Sequence, residues 1–108
     1  MHKLGEFELL VLLSILRQEE GAYANRVRED LLENAGRSVT RGALYRTLDR
    51  LTEKGLLKWD LEPSEIPERG GHPMRCLRVT KRGFGAVRQA RDVLVTYFKG
   101  VGAVLDEA

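Results

Sequence analysis

Apolar residues recur at helical spacing in the first third of the chain and predict two helices there. The first predicted helix runs from Leu4 to Leu16, and its apolar residues cover more than one stripe of a helical wheel. We therefore expect this helix to be buried on two sides, one facing the core of the chain and the other a partner subunit. The second predicted helix spans Ala22 to Asn34, with Ala24, Val27 and Leu31 along one face.

A third helix is predicted between Thr40, a good N-cap residue, and Gly55, which ends it. Leu44, Leu48 and Leu51 follow the i, i+4, i+7 spacing of a buried face. The opposite face carries small and polar residues, namely Gly42, Arg46, Asp49, Arg50 and Glu53. Two helices joined by a short turn, the second with a basic outer face, indicate a helix-turn-helix.

After Gly55, apolar residues no longer follow helical spacing and instead alternate with polar ones. The segments Leu56–Asp60 and Met74–Thr80 are predicted strands, and the prolines and glycines between them exclude a regular element. We expect a hairpin whose long tip ends in the sequence RGGH, residues 69–72. Three helices followed by a two-stranded hairpin is the order of a winged helix.

A final helix is predicted from its N-cap Thr80 to about Leu105. Its apolar residues approximate a heptad seam that is interrupted at Arg91: Phe84, Val87, Leu94, Phe98, Val101 and Leu105. Gly100 and Gly102 each cost about 1 kcal/mol relative to alanine in a helix, so this helix needs packing that a partner subunit would supply. The predicted fold class is mainly α with a small β-hairpin. It comprises a winged helix-turn-helix over residues 1–80 and a C-terminal dimerisation helix over residues 81–108, in one compact unit.

Composition is that of a single globular domain of 108 residues, 43% hydrophobic and 31% charged. One cysteine excludes an internal disulfide framework, and with two histidines we expect no structural metal site and no cofactor. No secretory signal is visible, and the apolar run Leu9–Leu13 is too short to span a bilayer. We therefore expect a cytoplasmic protein without membrane contact.

The net charge of +2 hides an uneven distribution. Residues 36–58 carry six basic and two acidic side chains, and residues 69–82 carry five basic side chains and no acidic ones. The segments before and between these blocks are acidic, and the last 26 residues are neutral. Two such basic blocks indicate contact with a polyanion, or alternatively two solvated surfaces.

Catalysis has no support in the sequence. There is no glycine-rich phosphate loop and no Ser/His/Asp set, and both histidines, His2 and His72, fall in predicted flexible segments. We therefore expect no catalytic residues and a protein that is not an enzyme.

The predicted recognition helix carries a recognisable signature. The stretch from Gly42 to Leu51, GALYRTLDRL, and the following EKGLL at 53–57 resemble the recognition helix of PadR-type bacterial transcriptional regulators. The sequence YANRV at 23–27 resembles the start of that family's second helix. The segments at 70–75 and 77–83 resemble its wing and the step into its last helix. The resemblance covers roughly residues 4–100, with a C-terminal helix as short as in the family's smaller subfamily.

The resemblance implies a homodimeric regulator that binds double-stranded DNA, usually a repressor that releases an inverted-repeat operator when a small-molecule effector binds. It also implies that the first and last helices form the dimer interface, in agreement with their apolar patterns. The predicted interface residues are Leu9, Leu12, Leu13, Leu16, Phe84, Val87, Leu94, Phe98, Val101 and Leu105.

Arg46 and Arg50 are the best candidates for contact with bases. An arginine in the major groove forms paired hydrogen bonds to guanine, each pair contributing about 1–3 kcal/mol of discrimination. The alternative is a solvated helix face with weak pairing to neighbouring acids. The small residues Gly42 and Ala43 would let the helix N-terminus approach a phosphate. The predicted DNA-contact residues are Thr40, Arg41, Gly42, Ala43, Tyr45, Arg46, Arg50, Arg69 and Arg75.

Several of these residues have a second interpretation. Tyr45 either bonds a phosphate or seals the core. Arg69 and Arg75 flank the predicted wing tip and suit phosphate or minor-groove contact, or they belong to a disordered basic loop. Cys76 is expected to be a small buried hydrophobe in its strand.

Two other functions remain open at this point. A winged helix can serve as a protein-interaction module whose basic face docks an acidic partner. Alternatively, dimerisation itself is the output and DNA binding has been lost, although the basic outer face of the third helix argues against this. The aromatic residues Trp59, Tyr97 and Phe98 are candidates for stacking on a ligand, or for core and interface positions.

Overall fold

The computed structural model describes residues 3–18, 21–62 and 74–108. In these ranges the chain forms five helices and one antiparallel hairpin: α1 (Glu6–Arg17), α2 (Ala24–Ala35), α3 (Arg41–Glu53), β1 (Leu57–Glu62), β2 (Met74–Val79), α4 (Lys81–Phe98) and α5 (Gly102–Glu107). The predicted class, mainly α with a small β-hairpin in winged-helix order, is confirmed. Among the described residues, no helix combines the length and apolarity needed to cross a bilayer.

A single hydrophobic core joins α1, α2 and α3 to the base of the hairpin. It contains the stripes that the periodicity predicts, including Leu44, Leu48 and Leu51, each without solvent exposure. Leu57 and Leu77, from the two strands, close the core from the hairpin side. Burying each such side chain contributes about 1.5–3 kcal/mol, which fixes the orientation of α3 and leaves its other face in solvent.

Polar contacts attach α1 to both other helices of the core. The carboxylate of Glu8 accepts hydrogen bonds from Gly5 N–H at 3.0 Å and from Lys54 Nζ at 2.8 Å. Burial raises the pKa of Glu8, but the hydrogen bonds from Lys54 and Gly5 and the charges of Lys54 and Arg50 outweigh it, so the net pKa is lowered. Six residues further along α1, a hydrogen bond from Ser14 is the largest cause of a lowered pKa at Asp30 of α2.

The junction between α3 and the hairpin is fixed by backbone geometry. Gly55 takes a φ of +77°, a conformation that favours glycine, and the chain turns there from α3 into β1. The hydroxyl of Thr80, at the end of the hairpin, donates to Gly55 O at 2.6 Å and accepts from Gly83 N–H at 3.0 Å. Thr80 therefore caps the last long helix, as predicted. Its hydrogen bond to Gly55 O also attaches that helix to the end of α3.

Strand register determines which hairpin residues face α3. Trp59 lies opposite Leu77, and Leu61 lies opposite Arg75, so these four side chains share the inner face. Leu77 N–H donates to Ala22 O at 2.8 Å, which attaches the free edge of β2 to the segment before α2. The hairpin is therefore held on its inner face and along one edge.

Helix α4 begins in close contact with the hairpin. A Cβ atom on Gly83 would overlap the carbonyl oxygen of Leu56 and Cγ1 of Val79, so only glycine fits at this crossing. Val87, one turn later, is buried in the core. Beyond it, every residue from 91 to 108 is exposed in the single chain.

The prediction of one continuous C-terminal helix to Leu105 is wrong. Helix α4 ends at Phe98, and a short helix, α5, follows after a break. Gly100 takes a φ of +77° in this break, which an α-helix does not permit. Val101 and Leu105 therefore lie beyond a turn and do not continue the helical seam of α4.

Candidate nucleic-acid interface

The outer face of α3 is presented to solvent as the sequence predicts. Thr40 caps the helix, since its hydroxyl accepts a hydrogen bond from Ala43 N–H at 3.1 Å. Gly42, Arg46 and Arg50 are exposed on the side away from the leucine stripe. The first turn of α3 contains no acidic residue, so its positive dipole end is open to an anion.

Arg46 stands out on this face because its donors have no partner among the described residues. It is exposed and forms no hydrogen bond or ion pair with the part of the chain that the structure describes. The guanidinium lies near Gly42, where an added Cβ would be 3.5 Å from Nη1. An exposed arginine whose donors are not engaged within the described chain is equipped to form paired hydrogen bonds to an external acceptor.

The other two arginines of α3 have partners within the chain. Arg50 donates from Nη2 to Thr47 Oγ1 at 3.3 Å, which directs its side chain along the helix. The guanidinium of Arg41 lies 6.0 Å from the centroid of the Tyr45 ring, at the limit of a cation–π contact. Both keep exposed charge and add to the positive potential of α3.

A polar cavity of about 400 Å³ lies between the N-termini of α2 and α3 and the start of β2. Its described lining contains three arginines, two tyrosines and no carboxylate: Tyr23, Ala24, Asn25, Arg28, Arg41, Tyr45, Met74 and Arg75. Arg28 is held there by a hydrogen bond from Nε to Val39 O at 3.0 Å. This cavity suits an anionic group such as a backbone phosphate.

Arg28 and Asn25 were not among the residues predicted from the sequence to contact DNA. Both follow Tyr23, at the start of the second helix, where the family resemblance implies no particular role for either residue. Spacing along α2 shows that they lie outside its apolar stripe, but their position beside α3 depends on how the two helices pack. Only the tertiary structure brings Arg28 next to Arg41.

Arg75 occupies a different position from the predicted one. Its guanidinium lies between two aromatic rings, 4.2 Å from the centroid of Trp59 and 4.7 Å from that of Tyr45. Nη1 also contacts Asp49 Oδ1 at 3.1 Å, and only 23% of the side chain is exposed. Arg75 is therefore turned toward α3 on the inner face of the hairpin, instead of outward at a wing tip. Arg69, the other predicted wing contact, lies outside the described residues.

The predicted dimer residues fall into two groups. Leu12 and Val87 are buried in the core of the single chain, so we remove them from the predicted interface. A helix buried on two sides does not reveal from its sequence which residue belongs to which side. The remaining residues are half-buried or exposed in the single chain: Leu9, Leu13, Leu16, Phe84, Leu94, Phe98, Val101 and Leu105.

The exposed apolar surface is larger than the predicted seam. Val93, Val95, Tyr97 and Val104 are also more than half exposed. An apolar groove of about 530 Å³ lies where this surface meets α1, lined by Leu4, Leu9, Ala86, Ala90 and Leu94 among others. Exposed apolar residues grouped in this way are typical of an interaction site.

Several solved structures of transcription regulators are similar to this chain in sequence and fold. No protein-family model and no curated protein matches the sequence. A solved structure described as a PadR-like transcription factor from Bacteroides fragilis is 26% identical and superposes with a TM-score of 0.71, covering 91% of this chain and 88% of the other. A PadR family transcriptional regulator from Eggerthella lenta is 25% identical with a TM-score of 0.67, covering 95% and 88%.

Over most of its length, this chain is similar to PadR-type transcription regulators. A PadR family regulator from Clostridium difficile, at 16% identity, shares the fold alone, with a TM-score of 0.71 and coverage of 94% and 99%. The winged-helix neighbours are transcription factors and not enzymes, as the sequence predicts. The exposed arginines of α3 therefore lie on the helix whose sequence resembles the recognition helix of PadR-type regulators.

Proposed function

We propose that this PadR-like regulator binds an inverted-repeat operator in double-stranded DNA as a homodimer, with α3 of each subunit in the major groove. The observation that carries the proposal is the state of Arg46, exposed on α3 with no partner among the described residues. In the major groove its donors match guanine O6 and N7. Arg50, one turn further, would contact a neighbouring base or a phosphate.

The charges around the N-terminal end of α3 favour the same orientation of this helix on DNA. The cavity lined by Arg28, Arg41 and Tyr45 adjoins the N-terminal end of α3, where backbone N–H groups also face outward. A phosphate seated there would be neutralised by arginine charge and by the dipole of α3. Base contacts from Arg46 and phosphate contacts at this cavity would then come from adjacent turns of one helix.

The shape of the single chain supports a dimer. Its radius of gyration is 15.8 Å, whereas a compact chain of this length has about 13 Å. The distal half of α4 and all of α5 are exposed in one subunit, and so are their apolar residues. A second copy that packs α1 and α4 against their equivalents would cover Leu13, Leu94 and Phe98.

Twofold symmetry sets the form of the operator. Two recognition helices related by a dyad read two half-sites in opposite orientation, about one helical turn or a multiple of it apart. We therefore expect an inverted repeat rather than a direct repeat.

We further propose that the regulator represses transcription and is released by a small molecule. The apolar groove beside Leu9 and Leu94 adjoins the proposed subunit contact, so a ligand there would alter how the two subunits meet. A screen of small apolar compounds against operator binding tests this part. A protein whose operator affinity no compound changes would contradict release by an effector and leave DNA binding intact.

Selection of binding sites from a random duplex pool at two salt concentrations tests DNA recognition. We expect enrichment of an inverted repeat and a steep fall in affinity at the higher salt, because phosphate neutralisation releases counterions. Salt-sensitive binding without enrichment would contradict sequence recognition. Absence of binding at low salt would favour the interpretation of this winged helix as a protein-interaction module.

A further inference from the structure

The distal part of the hairpin departs from the hydrophobic core. At its base, Leu57 and Leu77 are each 2% exposed, but Leu61, two residues beyond Trp59 on the same face, is 60% exposed. Among the described residues, apolar packing therefore supports the hairpin as far as the pair Trp59–Leu77. Arg75 lies opposite Leu61, in the region where that support ends.

Arg75 makes three contacts from this position, and two of them are to α3. Its guanidinium lies over the rings of both Trp59 and Tyr45 and is paired with Asp49. Tyr45 and Asp49 are four residues apart, so they form one face of α3 that meets the hairpin. A planar cation between two rings, fixed by a carboxylate at one edge, restrains both the distance and the angle between the two elements.

We propose that Arg75 is a positioning residue for DNA binding, which holds the hairpin at a fixed angle to the recognition helix through the stack Trp59–Arg75–Tyr45 and its pair with Asp49. The inference rests on the proposed function and on the expectation that the hairpin, as a wing, contacts the same duplex as α3, because the angle between them matters only then. It assigns Arg75 a role within the protein instead of a contact with phosphate. A second effect has the same origin: Arg75 neutralises Asp49, which is 56% exposed on α3 and would otherwise repel DNA.

Substitution of Arg75 by lysine and by glutamine distinguishes a positioning role from a contact with phosphate. Lysine keeps the charge but has no planar group to stack between rings, and a phosphate contact tolerates lysine as a point charge. For a positioning residue, we expect Arg75→Lys and Arg75→Gln both to weaken operator binding, by about three- to thirtyfold. If Arg75→Lys binds as tightly as the unmodified protein, charge alone suffices and the inference is overturned.

Trp59 reports the stack directly because it is the only tryptophan of the chain. Its fluorescence emission, measured on the protein without DNA, should change in Arg75→Lys and Arg75→Gln. Arg78 provides the matched control, since it lies three residues away on β2 but is exposed on the outer face. Arg78→Lys and Arg78→Gln should leave the emission unchanged, and unchanged emission in the Arg75 variants would overturn the stack.

Variants of Trp59 separate positioning from loss of folding. Trp59→Phe keeps an aromatic ring for the guanidinium and should retain most of the affinity. Trp59→Leu should weaken binding about as much as Arg75→Lys, and the two changes combined should cost much less than the product of their separate effects. Independent, multiplicative losses would contradict a shared stack.

Two results distinguish failure of the positioning role from failure of the proposed function. A wild-type chain that selects no duplex defeats the proposed function, and the positioning role with it. A wild-type chain that selects an operator, while its Arg75→Gln variant binds that operator equally well, defeats the positioning role alone. In either case, thermal unfolding of each variant shows whether a loss of binding follows from a loss of folded protein.

Discussion

Lys54 Nζ lies 2.8 Å from Glu8 Oε2, in an ion pair that joins the start of α1 to the C-terminal end of the recognition helix. Only 11% of the Glu8 side chain is exposed, whereas 32% of Lys54 is exposed. Glu8 therefore depends on this partner and on Gly5 N–H to remain charged inside the protein. The pair also connects the helix that carries the proposed dimer surface to the helix that carries Arg46.

This ion pair predicts a pH-dependent contribution to stability. The pKa of Glu8 is lowered in the folded chain from an ordinary value of 4.5. The stabilisation is therefore complete above that value and is lost as the pH falls through the lowered pKa. Glu8→Gln should reduce the free energy of unfolding by about 1–3 kcal/mol at pH 7, and this difference should shrink below the ordinary pKa of Glu8.

Denaturant unfolding at several pH values and one protein concentration measures this difference. Glu6→Gln is the control on the same helix, because Glu6 pairs with Arg37 while 80% of its side chain is exposed. Such a surface pair contributes about 0–1 kcal/mol. A difference between wild type and Glu8→Gln that stays constant across the acid range would contradict the account of the pair.

Two glycines of α4 make a matched pair for testing the contact between helix and hairpin. A Cβ on Gly83 would overlap Leu56 O, whereas a Cβ on Gly85 meets nothing within 4 Å. Gly83→Ala should therefore destabilise the chain by about 1–3 kcal/mol through the clash. Gly85→Ala should stabilise it by up to about 1 kcal/mol through helix propensity. Melting temperatures of the two variants check this, and equal shifts would contradict the close approach at Gly83.

The proposed dimer predicts a strong effect of a charge on the apolar surface of α4. Phe98 is 60% exposed in the single chain, so Phe98→Asp should leave the fold intact but bury an unpaired charge in the dimer. We expect dimer dissociation to become at least about tenfold more favourable. The control is Leu32→Asp, at a residue of α2 that is 57% exposed and distant in sequence from the predicted seam. Sedimentation equilibrium measures both, and a dimeric Phe98→Asp variant would exclude this surface as the interface.

The spacing of apolar residues predicted those parts of the fold that depend on one buried helix face. Leu44, Leu48 and Leu51 define the buried side of α3, and the outer side, including Arg46, follows because a helix has a fixed angle per residue. The N-caps Thr40 and Thr80 were predictable for a similar reason, since capping is local in sequence. Local signals therefore place the buried face of α3 and the N-terminal ends of α3 and α4.

The orientation of Arg75 could not be predicted from local sequence. Its inward orientation depends on lying opposite Leu61, and a slip of one residue in strand pairing would turn it to the outer face. No local pattern fixes that register. Gly100 is a second example: its cost in a helix is visible in the sequence, but the spacing of apolar residues continues past it and conceals the break at φ +77°.

The central claim is that α3 reads bases through Arg46, and parallel site selection with wild type and Arg46→Ala tests it most directly. Arg88, exposed on α4 away from the recognition helix, provides the control Arg88→Ala. We expect Arg46→Ala to lose the preference at one position in each half-site, at a cost of about 1–3 kcal/mol, while Arg88→Ala keeps the wild-type profile. If Arg46→Ala selects the same sites with the same preference at every position, Arg46 does not read bases and the claim is contradicted.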